Sequence, residues 1–327
     1  MAGSQGSALA VAVSNAGGLG SLPCAMLNVD AMRAELTAIR AGTTAPFNVN
    51  FFCHAQPEPD AERERAWRAV LAPYYAELGV DPDTVAAQPA RLPFSAAVAD
   101  ALEEFRPPVV SFHFGLPAPD LIARVKAWGA KVLSSATTVE EAVWLEAHGV
   151  DAVIAQGVEA GGHRGIFLSE DLGSQVGTLA LVPQVVRAVR IPVIAAGGIA
   201  DAQGVAAVRA LGAAGAQIGT AYLLCPEATT SAVHRAALGS ESSRTTALTN
   251  LFTGRPARGI VNRLMQELGP INPAAPRFPL AAAAIAPLRA KAESMGRGDF
   301  SSLWAGQNTS GCKPIPAAAL TRDLGTL

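Results

Sequence analysis

Cysteine is scarce. Cys24, Cys53, Cys225 and Cys312 lie far apart, with no CxxC spacing and no cysteine–histidine cluster. That argues against a zinc site or any other metal centre and against a disulfide framework, and it suits free thiols in a reducing, cytoplasmic setting. Positive charge is not in excess: 25 Lys and Arg stand against 27 Asp and Glu, a formal net charge of −2. A nucleic-acid partner, which would need a basic face, is therefore not expected. No apolar run reaches the roughly 18 residues of a membrane span. The Ala-rich run at 8–13 is too short for a signal peptide and has no basic flank, so no membrane partner is expected either. Aromatic residues are only 6% of the 327 positions, while half of the chain is apolar. Such a chain can bury enough surface to fold, with a core packed from small side chains.

Short β-rich runs alternate with longer amphipathic ones. The strands expected are Leu19–Leu22, Phe47–Phe52, Val109–Phe112, Lys131–Ser134, Ala152–Ala155, Val193–Ala196 and Ala216–Ile218. Helical patterns lie between them, near 28–41, 60–78, 118–128, 138–148, 178–189 and 201–212. Strands of this length, each followed by a helix of about ten residues, read as βαβ units in a parallel sheet. The count stops at seven, and the first clear element is a helix over 7–16. The expected fold is an α/β, TIM-type (β/α)8 barrel whose first strand is missing at the N-terminus, with an open sheet or another closure as the alternative. Residues 1–225 form this barrel. Residues 226–327 lack the strand–helix alternation, carry many Pro, Gly and Ser, and include a long helical pattern at 273–296; they read as an appended, mainly helical lobe that packs on the barrel as a substrate lid.

In a parallel barrel, chemistry sits at the C-terminal ends of the strands. Gly197 and Gly198 follow one late strand, and Gly219 and Thr220 follow the next. Paired small-residue turns at this place suit a phosphate held by backbone N–H groups, because a side chain would block its approach. The run Gln156-Gly157-Val158-Glu159-Ala160-Gly161-Gly162-His163-Arg164-Gly165 forms a polar, glycine-rich loop after a strand. The Gln156 amide can donate and accept, as a flavin or nucleobase edge requires. His113 ends its own strand and can donate to an anion or take a proton near neutral pH. His54 is a weaker case of the same kind, and His148 and His234 fall on helices. Asn50 alternates with Val49 and Phe51, and so faces either the barrel mouth or the next turn.

Together these segments resemble the nitronate monooxygenases, once called 2-nitropropane dioxygenases, and within them the first class. The resemblance rests on Ala12 to Gly20, Pro46 to Asn50, Ser111 to Pro117, Gln156 to Gly165, Ala195 to Ile199, Gln217 to Glu227 and Leu303 to Gln307. It implies a barrel that uses FMN to oxidise alkyl nitronates with O2, giving a carbonyl compound and nitrite or nitrate, in a detoxifying role. Propionate 3-nitronate is the implied natural substrate. Asn50, Gln156, Gly161, Gly198, Gln217, Ile218, Gly219 and Thr220 would contact FMN, with Gly162 and Gly197 beside them in the same turns. Met1, Ala2 and Gly3 match the end of a family segment that lies against the flavin. His113 matches the catalytic histidine and is expected to matter more than the second candidate, His163, because Phe112 and Phe114 fix and shield it. Phe112, Phe114 and Leu116 would give the site an apolar lining. The competing expectation is an NAD(P)H-dependent flavin reductase, for a quinone or an enoyl thioester, on the same barrel.

Overall fold

The computed structural model describes residues 2–82 and 91–326. Its strands are β1 (Gly20–Pro23), β2 (Phe47–Phe52), β3 (Val109–His113), β4 (Lys131–Ala136) and β5 (Ala152–Gln156), followed by β6 (Gly162–His163), β7 (Val193–Ala196), β8 (Gly215–Gln217), β9 (Thr246–Thr249) and β10 (Ala257–Ile260). Seven of them form one sheet in the order β1-β2-β3-β4-β5-β7-β8, with every pairing parallel. β1 and β8 are its two edges, so the sheet is a curled half-barrel, open where a closed barrel would pair them. The seven strands expected from the sequence are present, in the TIM-like α/β arrangement expected, with the barrel left open between β1 and β8.

The helices between them are α1 (Ser7–Asn15), α2 (Val29–Gly42), α3 (Ala61–Leu78), α4 (Ala96–Glu103), α5 (Pro119–Ala127), α6 (Val139–Ala147), α7 (Thr178–Ala188) and α8 (Ala202–Ala210). Their starts are set by side-chain caps. Asn28, Asp60, Ser95, Thr138 and Asp201 each accept a bond from the backbone N–H three residues on. That satisfies a donor the helix itself cannot. α4 was not among the expected helices.

The alternation of side chains along the strands divides the sheet into two faces. The convex face carries Val49, Phe51, Val110, Phe112, Val132, Val153, Ala155, Val193 and Ala195, buried in one cluster with Leu36, Leu102 and Leu145 of the covering helices. The concave face carries Leu133, Ile154 and Ala196 in a smaller apolar layer. Polar residues take over on that face toward the C-terminal ends of the strands. This polar edge is where the site lies.

The last third is α9 (Ala232–Leu238), β9, β10, α10 (Arg263–Leu268), α11 (Ala281–Ser294) and α12 (Ala317–Leu324). The helix expected at 273–296 begins only at Ala281. Pro273, Pro276 and Pro279 lack an N–H and push the residues before them out of helical geometry. The two strands were not expected. β10 pairs antiparallel with β9 and with β6, setting Ala257 opposite His163 and Arg258 opposite Gly162. α11 packs on α3, and α12 packs on α1. A buried cluster joins Leu9 of α1, on the β1 side, with Ala221 after β8 and Leu320 of α12.

Leu145 is fully buried between α6 and the convex face. Leu145→Ala is expected to lower the unfolding free energy by about 2–5 kcal/mol in urea titration; a change below about 1 kcal/mol would contradict this packing.

Candidate active site

Asn48 and Asn50 are two residues apart on β2 and share its concave face. The Asn48 amide donates to Ser21 Oγ at 2.7 Å and Ser111 Oγ at 2.9 Å, and Asn50 also donates to Ser111 Oγ at 2.9 Å. The Asn48 Oδ1 is buried without a partner among the described residues. Such an orphaned acceptor fits the N–H of a polar ligand lying on this face.

His113 continues the same row on β3. Its Nε2 donates to the carbonyl of His163 at 3.1 Å, which leaves Nδ1 to accept from Ser135 Oγ at 3.0 Å. The ring is thus neutral with both nitrogens engaged. Burial lowers its pKa to about 3, and the Arg255 and Arg164 cations add to the shift. Gln156, at the end of β5, donates to the same His163 carbonyl at 3.0 Å and accepts from Gly165 N–H at 2.8 Å. The amide expected to meet a flavin edge therefore also pins the loop that follows its strand. Arg164 is fully buried and donates to the carbonyls of Gln156 and Gly157, both at 2.7 Å, and to Gln175 Oε1.

His163 is held by one bond, from Nε2 to Thr253 Oγ1 at 2.9 Å. The Thr253 hydroxyl donates onward to the Arg255 carbonyl, so the His163 Nδ1 carries the lone pair. Burial sets its pKa well below the ordinary histidine value, with Arg91, His113, Arg255 and His54 adding to the shift. Around it stand Phe52, Phe114, Phe278 and Trp304, their ring centres 5.2–6.1 Å from its own, and His54 packs behind them with its ring 4.7 Å from that of Phe278. Arg255 lies with its guanidinium 4.0 Å over the Phe114 ring and bonds the Ile166 carbonyl. Its Nε is buried with no partner among the described residues, and burial lowers its pKa to about 10. The site is an aromatic chamber that holds neutral imidazoles beside a cation.

The glycine turns lie at the neighbouring strand ends. Gly198 has a left-handed backbone (φ 72°), and Gly219 faces open space, since a Cβ built there meets nothing within 4 Å. The N–H groups of Gly198 and Gly219 have no protein acceptor among the described residues. A strap over 304–312 crosses these turns. Gly306 N–H donates to Thr220 Oγ1, Asn308 donates to the Gly198 carbonyl, and Cys312 Sγ donates to the Thr220 carbonyl. A Cβ at Gly161 would stand 2.5 Å from the Gly306 nitrogen, so only glycine lets the strap approach.

The structure thus gathers Asn50, Gln156, His113 and His163 at one edge and sets Gly161, Gly162, Gly197, Gly198, Gln217, Ile218, Gly219 and Thr220 along the adjoining turns. Gly3 sits near Met26 at the end of β1, with Ala2 beside it in the same turn; Met1 lies outside the described residues. Phe112 is not a lining residue. Strand alternation turns it to the convex face, where it packs on Phe94 at 5.2 Å. Sequence reasoning missed Thr253, Arg255 and Phe278 and reached Trp304 only as part of the family-like segment Leu303 to Gln307, with no role assigned; all four come from the last third. The other local signal was an arginine between Gly254 and Pro256, in a segment taken for part of a helical lobe. Among the described residues no three metal-ligating side chains cluster, and no helix is long and apolar enough to cross a membrane.

Fold and site together define an α/β half-barrel enzyme with its chemistry at the C-terminal edge of a parallel sheet. The nitronate monooxygenase family model matches residues 1–326. A nitronate monooxygenase of Pseudomonas aeruginosa is 44% identical, over 99% of this chain and 93% of the relative. The solved nitroalkane oxidase of Streptomyces ansochromogenes superposes with a TM-score of 0.89 at 42% identity, covering 99% of this chain and 92% of that one. FabK of Thermotoga maritima is more distant, with a TM-score of 0.72 and 30% identity over 99% and 89% of the two chains. The chain belongs to the nitronate monooxygenase family, a flavin-dependent family of oxidoreductases that oxidise nitronates.

The histidines generate a pH prediction. His54 and His113 have folded pKa values of about 4 and about 3, both lowered chiefly by burial, and His163 is lowered as well. An unfolded histidine titrates near 6.5. The unfolded chain therefore binds these protons first, so their contribution to stability is complete above about pH 6.5 and is lost as the pH falls below it. The melting temperature should drop between pH 6.5 and 4.5, while the His113 ring signals in NMR stay those of a neutral imidazole from pH 8 to 5. A His113 titration near 6.5 would overturn the assignment.

Proposed function

We propose that the chain binds FMN and uses O2 to oxidise small alkyl nitronates, such as propionate 3-nitronate, to a carbonyl compound and nitrite or nitrate, as a detoxifying enzyme of the cytoplasm. The observation that carries this reading is the chamber at the strand ends, where two neutral histidines and a buried arginine face a site closed off by aromatic rings. An anion gains from a neighbouring cation in such a place, because little water screens it.

The residues fit the cofactor. The free N–H groups of Gly198 and Gly219 suit its phosphate, with Gln217, Ile218 and Thr220 beside them. The orphaned Asn48 acceptor, with Asn50, Gln156 and the turns at Ala2–Gly3, Gly161–Gly162 and Gly197, suits the ring system. FMN, when bound, supplies the electron transfer and the reaction with oxygen. Residues 226–327 act as the lid, contributing Thr253, Arg255, Phe278 and Trp304.

His163 and His113 divide the remaining work. His163 Nδ1 carries a lone pair and makes no hydrogen bond to the described residues, so it orients the nitronate or takes the α-proton of a neutral nitroalkane. His113 has both nitrogens committed and braces the His163 carbonyl. This reverses the ranking expected from the flanking phenylalanines. At equal flavin content, His163→Asn should lose roughly 10²–10⁴ in kcat/KM, whereas His113→Asn should lose less and shed flavin more readily. The opposite order would return the catalytic role to His113.

Two further measurements test the reading. Gly219 has an ordinary φ of −114° and open space at its Cβ, so Gly219→Val should change stability by no more than about 0.5 kcal/mol yet lower flavin occupancy. Full occupancy in that variant would remove the phosphate from this turn. The holoenzyme should consume O2 with propionate 3-nitronate and oxidise NAD(P)H poorly. Rapid anaerobic bleaching by NADH without nitronate turnover would make it the reductase instead.

A further inference from the structure

Among the described residues, Glu141 is the only buried carboxylate, 1% exposed in the first turn of α6. No lysine or arginine among them pairs with it directly. Its Oε2 accepts from the Thr137 N–H and the Thr137 hydroxyl, each at 2.7 Å, and its Oε1 accepts from the N–H groups of Phe167 and Leu168. Both oxygens act only as acceptors, as in an ionised carboxylate.

Two of these donors lead to the arginines of the site. The Phe167 N–H belongs to the same peptide group as the Ile166 carbonyl, and that carbonyl accepts from Arg255 Nη2. The peptide therefore turns its positive end to the carboxylate and its negative end to the guanidinium, so each bond polarises the other. On the second branch, the Thr137 hydroxyl accepts from the Gln175 amide at 3.0 Å, and Gln175 Oε1 accepts from Arg164 Nε at 2.9 Å. Each arginine reaches the same carboxylate through neutral links.

The neutral link decides where positive charge is left over. A direct Glu–Arg pair would cancel the cation. A peptide between them holds the guanidinium in place and leaves its Nε without a partner among the described residues. Arg255 lies 4.0 Å over the Phe114 ring, whose centre is 6.0 Å from that of His163. Burial lowers the Arg255 pKa, and the fields of Glu170 and Glu141 offset part of that effect. Glu170 is exposed and screened by water, whereas Glu141 is not.

We propose that Glu141 is a positioning residue for anion binding: acting through the Ile166–Phe167 peptide, it fixes the Arg255 guanidinium over Phe114, where that cation receives the nitronate. This rests on the function proposed above. Arg255 touches the substrate and Glu141 does not, so every effect of Glu141 on the anion passes through Arg255.

The test uses the flavin-loaded enzyme, with Glu141→Gln, Glu141→Asp, Thr137→Val, Arg255→Gln and the double variant Glu141→Gln/Arg255→Gln. The flavin absorbance is titrated with sodium nitrite, a bent O–N–O anion like the reacting end of a nitronate, and steady-state kinetics follow propyl-1-nitronate. Glu141→Gln should raise the nitrite Kd and the nitronate KM by roughly 5- to 30-fold at little change in kcat. Glu141→Asp, which keeps the charge but sets it farther from Phe167, should fall between Glu141→Gln and the wild type. Thr137→Val removes one bond to the same carboxylate and cuts only the Arg164 branch, so it should leave nitrite binding unchanged. In the Arg255→Gln background, Glu141→Gln should change nitrite binding by no more than about twofold. If Glu141→Gln does not retain flavin, the same cycle is read with Glu141→Asp. Additive losses in the double variant would overturn the proposal. So would tighter nitrite binding by Glu141→Gln, an equal loss in Thr137→Val, or no saturable nitrite binding by the wild type. If the nitronate is not turned over while nitrite binding follows the expected pattern, the positioning role stands and the proposed activity falls.

Discussion

The carbonyl of His163 is the point on which the site turns. It accepts from His113 on β3 and from Gln156 on β5, so two neighbouring regions of the sheet grip one backbone atom of the loop. A buried loop must find partners for its polar backbone. Here two of the partners, His113 and Gln156, also stand at the site. Arg164 takes the carbonyls of Gln156 and Gly157, and β10 lies along Gly162–His163 as a strand. The imidazole of His163 is placed by how its own main chain is held.

The same device sets the electrostatics. Arg164, Arg255 and Arg258 are all drawn out of water, and each donates to main-chain carbonyls: Gln156 and Gly157, Ile166, and Val158. A carbonyl satisfies the donors of a guanidinium without cancelling its charge. The surroundings of the chamber therefore stay positive although the chain as a whole carries −2. That potential and the removal of water both hold the histidines neutral, and both favour an anionic guest. Cations meeting carbonyls, rather than carboxylates, make this a site for anions instead of a closed ion-pair network.

The last third completes the site without forming one of its strands. Its contribution is a strand added to a two-residue edge, a strap that crosses the glycine turns, and a helix, α11, that packs on α3. Each approach depends on a small residue below it, most plainly Gly161 under Gly306. Glycines that read from the sequence as a phosphate cradle serve this packing as well.

The sequence by itself determined the parallel sheet, its seven strands and the strand ends that carry chemistry. Local alternation and caps decide these, and Val153, Asn28 or Thr138 acts on residues a few positions away. It also placed His113, Gln156 and the paired glycines at those ends, because each ends or closely follows a strand, with Asn50 two residues before the end of β2 and His163 in the loop after β5. Only the tertiary structure decided that Phe112 turns outward and Phe114 inward, that His113 spends both nitrogens on neighbours, and that Thr253, Arg255, Phe278 and Trp304 belong to the chamber. β9 and β10 likewise escaped the sequence, since four-residue strands buried by distant partners carry no periodic signal of their own. Backbone periodicity is a short-range property, whereas the partner of a buried hydrogen-bonding group is chosen by whichever segment folds against it, here from about 90 residues away, as His163 and Thr253 are.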